Sequence, residues 1–64
     1  SIMNDENLLM VLEIKDDHII GIKVNEKDKI KIKASKEFID ELKSSFNENE
    51  TYLIPFDEGT MTVI

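Results

Sequence analysis

The run Lys29-Ile30-Lys31-Ile32-Lys33 alternates a cation with a β-branched apolar residue without a break. A period of two sends successive side chains to opposite faces, as a strand does. A helix would scatter the isoleucines around its axis. This segment is therefore read as a strand with one dry and one wet face, and Ala34 extends the dry set. The other β-rich runs are placed relative to it.

Ile20, Ile22 and Val24 repeat the alternation just upstream, as do Leu8, Met10, Leu12 and Ile14 before them. Lys15-Asp16-Asp17-His18 and Asn25-Glu26-Lys27-Asp28 are polar turn segments between these runs. Three strands joined by short turns predict an antiparallel meander. Placing Ile20, Ile22 and Val24 on the face of Ile30 and Ile32 predicts Val24 opposite Ile30 and Ile22 opposite Ile32. The same register sets Lys23 opposite Lys31 and Gly21 opposite Lys33.

At Ser35 the period changes. The Ser35 hydroxyl suits an N-cap, and Phe38, Ile39, Leu42 and Phe46 then fall on one helical stripe, with Glu37, Asp40, Glu41 and Ser44 on the wet side. Thr51 to Phe56 and Thr60 to Ile64 are β-rich runs around the loop Asp57-Glu58-Gly59. Pro55 cannot donate a ladder bond and predicts an edge at that point. The expected fold is α+β: a βββαββ antiparallel sheet, strongly bent or closed as an SH3-like small barrel, with one helix on its inner face. Residues 1–7 are expected to form a flexible N-terminus and 8–64 a single small domain, with Ser1-Ile2 read as an addition ahead of Met3. The expected core is Met10, Leu12, Ile14, Ile20, Ile22, Val24, Ile30, Ile32, Phe38, Ile39, Leu42, Phe46, Ile54, Phe56, Met61 and Val63.

Composition narrows the chemistry. A chain of 64 residues buries only about 60 % of its unfolded surface, so a second subunit or larger partner would be a useful support. There is no cysteine and one histidine, His18. Disulfides and thiolate metal sites are excluded, and zinc finds too few ligands. Asp16-Asp17-His18 reads as turn chemistry, and adjacent Asp57-Glu58 as a loop. With two glycines there is no phosphate-cradling loop. No catalytic residue, cofactor or metal is predicted, and no enzyme. The longest apolar run, Leu8 to Leu12, is far too short for a membrane span, and no targeting motif is visible. A cytoplasmic setting is expected.

Two surfaces remain for a partner. In the register above, Leu9, Val11 and Ile19 point away from the core, with Leu53 and Ile64 beside them. Either the sheet curls into a small barrel or the C-terminal hairpin folds across them, or they bind a protein or a second copy. Lys23, Lys29, Lys31 and Lys33 form the second, basic surface. Segment 23–36 holds six of the eight lysines in a chain of net charge −6. The expected function is a non-catalytic protein-interaction module, a small cytosolic regulator or inhibitor acting on a larger protein. The alternatives are a nucleic-acid binder using the lysine strand and an acidic nucleic-acid mimic, of mobile-element origin, using Glu37, Asp40, Glu41, Glu48 and Glu50. Against nucleic acid, the chain has no arginine and no aromatic on the lysine strand.

Overall fold

A computed structural model describes residues 7–64. The flexible segment expected at 1–7 lies outside the described residues except for Asn7, which opens the first strand. The order is β1 (Asn7–Ile14), β2 (His18–Lys23), β3 (Lys29–Lys33), α1 (Lys36–Ser45), β4 (Leu53–Asp57) and β5 (Thr62–Val63). The strands close into a barrel in the order β1-β2-β3-β5-β4, and β4 returns to β1. Every pairing is antiparallel except β3 with β5, which is parallel and consists of Lys33 opposite Thr62. The small α+β barrel is thus present, with mixed rather than purely antiparallel pairing.

Closure decides which side of each strand is dry, and here the sequence reading of β1 and β2 is reversed. Leu9, Val11 and Ile19 are 0 %, 5 % and 0 % exposed. They form the barrel interior with Ile32, Ile39, Leu42, Ile54 and Phe56. Met10, Leu12, Ile20 and Ile22, expected inside, are half-buried, and Val24 is exposed. The observed partners of Ile32 and Ile30 are Ile19 and Gly21, not Ile22 and Val24. A one-residue slip of register carries every side chain of a strand to the other face.

A β-bulge explains part of the reversal. Val11 lies opposite Gly21 and Glu13 opposite Ile20, which leaves Leu12 as the extra residue on β1. Before it the odd-numbered residues face inward; after it Ile14 does, opposite Ile19. A bulge bends and twists its strand, as a small barrel requires. Strict alternation along Met10, Leu12 and Ile14 therefore could not hold.

Helix α1 covers one end of the interior. Ser35 is the N-cap, and its Oγ accepts from the Phe38 N–H at 3.1 Å. Ile39 and Leu42 are buried, and Phe38 and Phe46 pack against the core cluster, as the stripe predicted. The C-terminal end is anchored by aromatic contact: the Phe46 and Tyr52 rings are 5.3 Å apart, tilted by 50°. The Tyr52 hydroxyl donates to the Ser45 carbonyl. Pro55 accepts from the Ile64 N–H at 3.3 Å but has no N–H to return, and the β4–β5 ladder stops there.

Candidate functional site

The strand registers assemble an outer face that no single strand reveals. Across one row lie Leu53, Met10, Ile22 and Lys29, from β4, β1, β2 and β3 in turn. The next row holds Glu13, Ile20 and Lys31, and the one after it His18 and Lys33. Toward the other end, Pro55 lies opposite Leu8, and the Leu8 carbonyl accepts from the Val24 N–H at 2.9 Å. The first row thus runs from apolar on β4 and β1 to cationic on β3, and the next two rows also end on a β3 lysine.

Three members of this face are well exposed: Leu8 at 37 %, Val24 at 38 % and Leu53 at 50 %. Met10, Leu12, Ile20 and Ile22 add half-buried apolar surface between them. Leu8 and Val24 also line a groove of about 320 Å³ with Asn7, Lys23 and Asn25. A sheet face left to water usually carries polar side chains, so this patch is the feature that asks for a partner. Met10, Leu12, Ile20, Ile22 and Val24 of this patch are expected in the core from sequence, whereas Leu53 is expected outside, where it lies. The apolar face proposed from sequence, Leu9, Val11 and Ile19, is enclosed and offers nothing to a partner. The signal was in the sequence: Leu8 to Leu12 is apolar at both parities, so the pattern supplies two apolar faces without saying which is outside.

Of the predicted basic surface, Lys29, Lys31 and Lys33 are exposed on β3 as expected. Lys23 is not among them. It lies opposite Leu9, on the inward parity at the barrel mouth, with its Nζ 3.0 Å from Glu58 and 3.8 Å from Glu26. Lys31 faces Ile20 rather than Lys23, so the expected like-charge pair does not form. Among the described residues, ion pairs engage Lys15 with Glu13, Lys36 with Asp40 and Lys43 with Asp16. No such partner lies within 4.0 Å of Lys27, Lys29, Lys31 or Lys33 among those residues.

The turn acids separate rather than converge. Asp16 Oδ1 accepts from Lys43 at 3.2 Å, whereas Asp17 Oδ1 is 2.7 Å from His18 Nδ1. That hydrogen bond from His18 holds the Asp17 carboxyl below its ordinary range, and a hydrogen bond from Lys15 does the same for Glu13. His18 itself lies on β2, not in the turn. Among the described residues no three His, Cys, Asp or Glu side chains gather as metal ligands. A groove of about 360 Å³ at the β3–β5 seam is lined by Lys33, Ala34, Ser35, Phe38, Thr62, Val63 and Ile64. That lining contains no carboxylate side chain or imidazole to pair with the cation. No described helix is long and apolar enough to cross a membrane. Comparison with protein-family models, curated proteins and solved structures gives no match to this chain.

Proposed function

We propose that this protein is a non-catalytic interaction module, a small regulator or inhibitor, which docks a larger protein on the outer face of β4, β1 and β2. The observation that carries this reading is the exposed patch of Leu8, Val24 and Leu53 around half-buried Met10, Ile20 and Ile22. Interfaces combine an apolar centre depleted of charge with a polar rim, and Lys29, Lys31 and Lys33 stand along one border of this patch. The surface that fits is apolar with an acidic margin. The groove between Leu8 and Val24 offers a place for one projecting apolar side chain.

We also read the strand circuit, with its helix between β3 and β4 and its parallel β3–β5 contact, as that of an OB-type barrel rather than an SH3-like one. Barrels of that type often bind oligonucleotides across β2 and β3, and the three exposed lysines of β3 favour such a second reading. Against it stand the missing arginine and the positions of the aromatics: Phe38 and Phe46 pack with the helix, Tyr52 lies beside Phe46, and Phe56 is 1 % exposed. Among the described residues that face offers no Phe, Tyr or Trp for base stacking, only the half-buried His18 imidazole opposite Lys33. Fold alone does not assign function, so the apolar patch takes precedence.

Met10→Glu tests the docking face, because Met10 sits between Ile22 and Leu53 at its centre. Glutamate can lift its charge into water from a half-buried strand position. The variant is expected to keep native circular dichroism and to lose the protein that wild type retains in co-purification, while Asp40→Lys on the helix keeps it. Leu53→Glu, at a more exposed site, should act in the same direction. Retention of every partner by both folded variants would refute the proposal.

A further inference from the structure

The backbone of β3 shows a second, separate opening. The Val24 N–H donates to Leu8 and the Lys15 N–H to the His18 carbonyl, both at 2.9 Å, so the even-numbered residues of β2 turn their backbone groups toward β1. Ile19 and Gly21 therefore turn theirs toward β3, where they face Ile32 and Ile30. By the same alternation Lys29, Lys31 and Lys33 direct their N–H and C=O groups away from β2. Lys33 uses its N–H on the Met61 carbonyl at 2.9 Å, and β5 meets β3 only there. Among the described residues, no strand lies opposite the outward backbone groups of Lys29 and Lys31.

We infer that this edge receives an extended acidic segment of a partner protein, added as a further strand beside β3. An added strand would satisfy the backbone groups of Lys29 and Lys31 through main-chain hydrogen bonds. Its alternate residues would lie on the outer face beside the side chains of Lys29, Lys31 and Lys33, where Asp or Glu completes the ion pairs that the described residues leave unmade. Charge sets the choice of occupant. Segment 27–33 carries four lysines against Asp28, a net +3, so the remaining residues of the −6 chain carry −9.

The same charge argues against other occupants. A second copy pairing β3 to β3 would set lysine beside lysine, and like charges across a ladder are destabilising. A DNA backbone can accept from an N–H through its phosphates, yet it has no donor for the outward carbonyls of this edge, and phosphodiesters cannot reproduce the alternating N–H and C=O pairing of a strand. Exposed edges are often guarded by lysine against unwanted pairing. The same guard becomes an attraction when the incoming strand is acidic. This edge shares the lysines of β3 with the border of the docking face but not its apolar centre on β4, β1 and β2, and its main-chain groups are not used there.

The test is amide hydrogen exchange on the whole chain, followed by NMR, with and without a synthetic peptide alternating glutamate with valine and threonine. At saturation the Lys29 and Lys31 amides are expected to slow by about tenfold or more, as edge groups do when they enter a ladder. Addition of salt should weaken binding. Lys29→Glu/Lys31→Glu should cut the affinity by at least tenfold, and Lys31→Pro, which removes one outward N–H from an edge where proline is tolerated, should abolish protection. Met10→Glu should leave the protection intact, so failure of the docking face and failure of the edge are separable. No added protection, or equal binding of a peptide alternating lysine with the same residues, would overturn the inference. Displacement of the acidic peptide by single-stranded DNA without amide protection would assign the lysines to nucleic acid instead.

Discussion

Gly21→Ala tests the barrel register most directly. In the structure Gly21 is buried and lies opposite Val11 on the inward face of β2. An added Cβ would stand 2.3 Å from the Met10 carbonyl oxygen and 2.8 Å from Leu9 Cγ. A close carbon–oxygen contact in sheets is about 3.3 Å, so the shortfall is roughly 1 Å. The first obstacle is main chain of the neighbouring strand and cannot rotate away; β1 and β2 would have to separate and stretch their hydrogen bonds. Overpacking a core costs about 1–3 kcal/mol, and a backbone obstacle places this case at the upper end. Replacing glycine also restricts the unfolded chain, which offsets roughly 0.4–1 kcal/mol. The net loss is about 2 kcal/mol, a large share of the ~3–10 kcal/mol that a domain of this size has. In a thermal melt followed by circular dichroism, Tm should fall by about 8–16 °C, and the urea midpoint should fall with it. With Gly21 on the wet face opposite Lys33, the same substitution would leave Tm unchanged or raise it, and that result would refute the register and the inward placement of Ile19.

Two further outcomes follow from local geometry. Ser35→Ala removes the acceptor for the Phe38 N–H and should cost about 1 kcal/mol; a ten-residue helix does not persist alone, so the whole domain should melt earlier. The Glu13 and Asp17 carboxyls, held low by Lys15 and His18, should titrate below ordinary glutamate and aspartate in an NMR pH series. Because folding depresses both, each contribution is present above the unfolded pKa and is lost as pH falls through the folded one. Lys15→Met should return Glu13 to its ordinary range, and unchanged titration in that variant would refute the assigned cause.

Particular residues show where sequence reasoning was sufficient. Lys29 to Lys33 is polar at one parity and apolar at the other, so only one orientation avoids burying cations, and β3 was readable. Ser35 and the stripe of Phe38, Ile39 and Leu42 likewise defined the helix, its start and its dry side. Ile54 and Phe56 were placed inward correctly for a related reason: Pro55 and Asp57 are poor choices for a core.

Leu8 to Leu12 and Ile19 to Ile22 offered no such asymmetry, since either parity could be enclosed. The choice came from contacts distant in sequence: Leu9 against Ile54, Ile19 against Ile32, and the Leu12 bulge that changes phase within β1. The candidate site inherits this division. Three of its lysines were legible because charge avoids burial, whereas Lys23 left the set when closure brought Glu58 beside it. Its apolar centre was visible only as a surplus of hydrophobic residues. Sequence determined the elements, the wet face of β3 and the dry face of α1, because hydration acts residue by residue. Tertiary structure decided the register, the phase of β1 and β2 and the edge of β3 that no described strand covers, because those depend on how strands far apart in the chain close a curved sheet.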